Sequence, residues 1–120
     1  QYAITYPDRY PCPTRPLRLE EYGKLTFFAP DGDTFRGLPL CRAALRRGGL
    51  CTAALNGANE AAVALFLAGK IRFPQIAELV QLGMEQQTAA PASSVAAIMD
   101  ADRAARRAVQ EAAARGGARV

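Results

Sequence analysis

The residues best suited to chemistry lie in one run, Leu55-Asn56-Gly57-Ala58-Asn59-Glu60-Ala61. Asn56 and Asn59 are three apart and Asn56 and Glu60 four apart, so all three can share one side of a helix. Two amides and a carboxylate make a hydrogen-bonding site. With no second acid, histidine or cysteine beside them, they are too few for acid/base or metal chemistry. Asparagine competes for backbone hydrogen bonds inside a helix, and Gly57 costs about 1 kcal/mol relative to alanine. A helix that accepts both needs a reason. One reading is a small polar site. The plainer and preferred reading is that the amides tie this helix to neighbouring backbone, in a loop or in the N-terminal segment.

The rest of the sequence narrows the chemistry further. The 120 residues contain no histidine, which excludes within this chain a Ser-His-Asp or Cys-His hydrolase and a histidine metal ligand. The three cysteines, Cys12, Cys41 and Cys51, form neither a disulfide framework nor a CxxC pair, and are expected to be reduced thiols in a cytoplasmic protein and small core residues. Asp31 and Asp33 flank Gly32 in a turn, and Glu20-Glu21 reads as solvated surface. No GxGxxG or P-loop pattern is present. The net charge of +4 is spread out, Arg103, Arg106 and Arg107 share their helix with Asp100, Asp102 and Glu111, and no aromatic follows Phe73. No nucleic-acid partner is expected, and that arginine group reads as a solvated helix face. No stretch approaches the ~20 apolar residues of a membrane span. The chain opens at Gln1 with neither Met nor a signal peptide, and is expected to be a piece of a longer protein.

The elements that must position these residues divide near residue 34. Residues 1–33 carry Pro7, Pro11, Pro13, Pro16 and Pro30, five of the eight prolines, so regular structure is scarce there. Residues 1–6 could end a helix or form a strand, and Lys24-Leu25-Thr26-Phe27-Phe28 is expected to be one short strand. Such an arm cannot bury its own aromatics and must lie against something else. Residues 34–120 read as four helices, near 38–47, 52–68, 73–86 and 94–115. Pro39 and Pro74 suit first turns, Thr52 and Ser93 or Ser94 can serve as N-caps, and Gly48, Gly69 and Gly116 mark ends. The expected inward faces are Leu38, Cys41 and Leu45; Leu55, Ala62, Leu65 and Phe66; Ile76, Leu79, Val80 and Met84; and Val95, Ile98, Met99, Ala105, Val109 and Ala112. The expected fold is mainly α: a small antiparallel four-helix bundle (34–120) preceded by a proline-rich arm (1–33) with one short strand.

The order of these features resembles the C-terminal portion of the 1-deoxy-D-xylulose 5-phosphate reductoisomerase family. Gln1 through Arg9 (QYAITYPDR) looks like the segment leaving that family's catalytic domain. Leu19 with Gly23-Lys24-Leu25-Thr26-Phe27 and Pro30-Asp31 looks like its connecting arm. Leu55-Asn56-Gly57-Ala58-Asn59-Glu60 looks like its Asn-Ala-Ala-Asn-Glu helix, and Gly69 through Phe73, then Asp100-Ala101-Asp102 and Arg106, continue in order. Gly57 departs from the usual alanine, Arg36-Gly37 replaces a typical Pro-Cys, and Pro74 takes the place of a threonine cap.

The resemblance implies a parent enzyme of non-mevalonate isoprenoid biosynthesis that converts 1-deoxy-D-xylulose 5-phosphate to 2-C-methyl-D-erythritol 4-phosphate. It further implies NADPH, Mg²⁺ or Mn²⁺, and a homodimeric parent. The family's metal, phosphate and nucleotide residues lie upstream of the position matching Gln1, so this chain is expected to be inactive alone and to bind neither cofactor. Its partners would be the catalytic and nucleotide-binding domains of the same parent. Ile4 is the one residue expected to border the cofactor cleft. The alternative is an independent helical interaction module whose proline-rich arm binds a partner.

Overall fold

The computed structural model describes residues 1–86 and 90–116. These are mainly helical, with six helices and, among the described residues, no strand. Two are single turns in the N-terminal segment, α1 (Tyr2–Thr5) and α2 (Leu19–Tyr22). Four form the helical body: α3 (Gly37–Arg47), α4 (Cys51–Leu67), α5 (Phe73–Glu85) and α6 (Val95–Gly116).

The expected strand at Lys24–Phe28 is therefore corrected. Its residues have strand character, but a strand exists only when its backbone is paired. The described residues offer no second strand. The alternatives left open for residues 1–6 resolve as a helical turn, closed by Ile4 and Thr5 N–H donating to the Gln1 carbonyl at 2.9 and 3.1 Å.

The helix ends follow local chemistry. Lys70 N–H reaches Leu65 O and Gly69 N–H reaches Phe66 O, both at 2.9 Å, with Gly69 at φ +69°. This two-bond cap needs a left-handed residue, which glycine supplies freely. At the start of α5, Gln75 Oε1 accepts from Arg72 N–H at 2.7 Å, and Pro74 sits in the first turn, where no amide donor is missed. Ser94 Oγ accepts from Ala97 N–H at 3.1 Å and so caps α6. Thr52 is not a cap: α4 begins one residue earlier, at Cys51.

α4 is the centre of the body, packing on α6, α5 and α3, while α5 also meets α6 and α3. The core joins Leu40 and Ala44 of α3, Cys51, Ala54, Ala58, Ala61 and Ala62 of α4, Ile71, Leu79, Val80 and Met84 in and before α5, and Ala105 and Val109 of α6. Two expected faces are corrected. In α3 the buried residues are Leu40 and Ala44, with Leu38, Cys41 and Leu45 exposed, because the alanine side lets α3 approach α4 and α5 closely. In α6 burial begins at Ala101, and Val95, Ile98 and Met99 are uncovered.

The N-terminal segment stands apart. Neither α1 nor α2 packs on any other helix. The radius of gyration is 18.9 Å, against about 13–14 Å for a compact domain of this length. The aromatic residues of the segment are uncovered, Phe27 being 88% and Phe28 87% exposed. No helix among the described residues is long and apolar enough to cross a membrane.

Candidate functional site

The motif helix places Asn56 and Glu60 together. Asn56 Nδ2 donates to Glu60 Oε1 at 3.0 Å, the i,i+4 geometry expected from the spacing. Asn59 is exposed and takes no part in this pairing. The amide tie thus runs to a side chain on the same helix, not to neighbouring backbone.

Glu60 continues the chain of contacts onto α6. Its Oε2 accepts from Arg106 Nη2 at 2.7 Å, and the same guanidinium grips Asp102 with Nε to Oδ2 at 2.7 Å and Nη2 to Oδ1 at 3.1 Å. The side chains of Asp102, Arg106 and Glu60 are 21%, 34% and 55% exposed, so the cluster grades from interior to solvent. The Arg106 and Asn56 hydrogen bonds, in that order, hold the Glu60 carboxyl below its ordinary range, and Arg106 is held more firmly protonated by Asp102 and then Glu60. Beneath this cluster Gly57 leaves no room: a Cβ there would sit 2.5 Å from Asp102 Oδ1 and 2.9 Å from the Asp102 carbonyl oxygen.

Two anions, one permanent cation and an amide that satisfy one another form an interhelical tie. They hold no free nucleophile and no poised acid or base. Arg106 and Asp102 are the members that sequence reasoning missed, because the mixed charges along 100–107 read equally as a solvated face. The signal was the Asp102/Arg106 spacing of four, which permits the bidentate grip. Arg103, by contrast, does behave as surface, pairing with Asp100 at 2.6 Å.

Ile4 is 89% exposed on α1. Around it, Arg9 lies over the Tyr2 ring with its guanidinium carbon 4.2 Å from the centroid, and Gln1 Nε2 donates to Pro11 O at 3.1 Å. Asp31 Oδ1 accepts from the N–H groups of Asp33 and Thr34 at 3.1 and 3.0 Å, which accounts for it as a turn residue. Of the cysteines only Cys51 is a core residue. Cys12 and Cys41 are exposed, and the Thr14 hydroxyl 3.0 Å from Cys12 draws its thiol below the usual range.

An open groove of about 530 Å³ lies between the 32–36 segment, α3 and α5. Part of its polar lining is engaged: Arg36 donates to Gln81, and Gln81 Nε2 donates to Glu85 Oε1 at 2.7 Å. No group of three or more cysteine, aspartate or glutamate side chains among the described residues could hold a metal ion. The donors among the described residues thus do not group as Mg²⁺ or Mn²⁺ ligands would.

Residues 1–108 match the family described as DXP reductoisomerase C-terminal domain. The chain is 44% identical over 111 residues to 1-deoxy-D-xylulose 5-phosphate reductoisomerase of Acetivibrio thermocellus, covering 92% of this chain and 29% of that one. Against the enzyme of the same name from Clostridium botulinum it is 51% identical over 81 residues, 68% of this chain and 21% of that one. Among solved structures, the reductoisomerase from Zymomonas mobilis in complex with NADPH aligns with a TM-score of 0.82 at 32% identity, over 93% of this chain and 30% of that one. A DOX-P reductoisomerase in complex with NADPH, fosmidomycin and magnesium aligns at 0.70 and 33% identity, over 97% and 30%. The chain therefore spans under a third of the length of the relatives it matches.

Proposed function

Because the chain belongs to the DXP reductoisomerase C-terminal domain family, we propose that it is the connecting arm (1–33) and C-terminal four-helix bundle (34–120) of an NADPH-dependent 1-deoxy-D-xylulose 5-phosphate reductoisomerase. The parent is assigned the conversion of that substrate to 2-C-methyl-D-erythritol 4-phosphate, in the cytoplasm, as a homodimer using Mg²⁺ or Mn²⁺. The role of this chain is architectural. Its bundle packs on the catalytic domain of the same parent and helps set the geometry of the cleft.

The observation that carries this reading is the uncovered arm. Leu25, Phe27 and Phe28 stand exposed in a segment whose two helical turns, α1 and α2, pack on no helix of the body. At roughly 1.5–3 kcal/mol per fully buried large side chain, leaving such a row in water forgoes several kcal/mol that a packed neighbour would recover. The rest of a parent enzyme, some two-thirds of its length in the relatives, supplies such a neighbour. Ile4 belongs to the same uncovered segment and is proposed to border the cleft; Asn56 and Glu60 are assigned to structure and not to chemistry, and Asn59 is exposed outside their pairing. The reductive step needs NADPH and a divalent metal ion, and of this chain only Ile4 is placed beside that cleft. No observation favours an independent interaction module.

The purified chain, mixed with NADPH, Mg²⁺ and 1-deoxy-D-xylulose 5-phosphate, is expected to show no loss of absorbance at the nicotinamide band above the buffer control. Turnover would remove the architectural reading and place a catalytic site within these 120 residues.

A further inference from the structure

The α4/α6 contact carries an ambiguity that its polar cluster resolves. The buried residues of the two helices are Cys51, Ala54, Gly57, Ala58, Ala61 and Ala62 on α4, and Ala101, Ala105 and Val109 on α6. Faces made almost wholly of alanine approach closely but present few knobs. Sliding one helix by a turn, about 5.4 Å, sets alanine against alanine again and changes the buried apolar area little.

Two features break this degeneracy. Gly57 leaves a notch in α4 that Asp102 fills, its carboxylate and carbonyl oxygens lying 2.5 and 2.9 Å from where a Cβ would stand. One turn further along each helix, Arg106 reaches from Asp102 across to Glu60 at 2.7 Å. Notch and clamp are four residues apart on α6 and three apart on α4, so they engage together in a single register, with both helices running in the same direction. After a one-turn slip, Asp102 would meet the methyl of Ala61 or the side of Ala53 and Ala54, and Arg106 would lose Glu60.

We propose that Gly57, Asp102, Arg106 and Glu60 form a register lock that fixes the axial position of α6 on α4. The inference stands on the chain's own geometry and is independent of any assignment to a parent enzyme. Its function is specificity. Polar groups at an apolar helix interface exclude alternative alignments more than they add stability.

The test is the ¹H–¹⁵N spectrum of the isotopically labelled chain and of the double variant Asp102→Ala/Arg106→Ala. The lock predicts one set of α6 amide resonances for the native sequence and a second set, or exchange broadening confined to α6 and the α4 face opposite it, for the variant. A variant that keeps one sharp set with native α4–α6 nuclear Overhauser contacts, merely melting at lower temperature, would reduce the cluster to an ordinary ion pair and overturn the proposal. Arg106→Gln keeps the aliphatic stem and removes the guanidinium that makes the clamp, so it gives the same readout should the double variant fail to fold.

Discussion

Replacing Gly83 with leucine is expected to lower the melting temperature of the chain by about 5–15 °C. A Cβ built at Gly83 would stand 2.6 Å from the Ala58 Cβ, 3.4 Å from Val109 Cγ2 and 3.5 Å from the Ala105 carbonyl oxygen. Three helices meet at this point. The nearest obstacle is a methyl fixed directly to backbone, so no rotamer change can relieve the clash and α4 and α5 must part. Overpacking of this kind costs about 1–3 kcal/mol or more. The gain in helix propensity, about 1 kcal/mol at most, offsets only part of it. In a domain of this size each kcal/mol moves the midpoint by roughly 4–8 °C. Gly37→Ala is the control. Gly37 opens α3 with nothing within 4 Å of its Cβ position, so that variant should melt within a few degrees of the native chain. Equal losses at both positions, read by circular dichroism on heating, would show that packing at the three-helix junction is not what Gly83 serves.

Arg106→Ala should destabilise the chain by about 1–2 kcal/mol near neutral pH, a figure held low because a third of the side chain faces solvent. The loss comes from leaving Asp102 and Glu60 without their donor. The pH dependence gives the sharper test. In the native chain the Arg106 and Asn56 hydrogen bonds depress the Glu60 pKa. A carboxylate whose folded value lies below its unfolded value contributes stability fully above the unfolded value, about 4.3, and loses it as pH falls through the folded one. The gap between native and variant melting temperatures is therefore expected to be widest at pH 6–7 and to narrow on acidification below about pH 4. A gap constant from pH 7 to pH 3 would mean that Arg106 acts through packing of its stem and not through its charge.

Both expectations rest on features with unequal visibility in the sequence. The three longest helices were legible because punctuation and period agree: Gly69 closes α4, Pro74 opens α5, and Ser94 precedes the apolar positions of α6. The inward side of α3 was not. Leu38, Cys41 and Leu45 are its larger residues at helical spacing, yet the smaller side around Ala44 is buried. Where helices pack closely, volume works against burial, and hydrophobicity alone points the wrong way. The strand expected at 24–28 shows the same limit from another direction. Side-chain character there is right for a strand, but pairing is a property of two segments, and the described residues hold no second one.

The polar cluster was half legible. Spacing on one helix brings Asn56 to Glu60, and nothing in that spacing shows that Glu60 meets Arg106, 46 residues later in the chain. Gly57 reads in sequence as a defect in a good helix; in the structure the missing methyl is the space that Asp102 occupies. Asn59 carries the same residue type as Asn56 but faces solvent, so type and spacing overstate its part.

The central claim, that the chain supplies architecture to a reductoisomerase whose chemistry lies elsewhere, is tested most directly by a chimera. The matching C-terminal segment of the Zymomonas mobilis reductoisomerase is replaced by residues 1–120, and NADPH oxidation with 1-deoxy-D-xylulose 5-phosphate and Mg²⁺ is measured. Turnover within about tenfold of the unaltered enzyme is expected, because on the proposed reading the swap alters only the position of Ile4 at the cleft and leaves the catalytic domain intact. A folded chimera that binds NADPH but shows no turnover would contradict it.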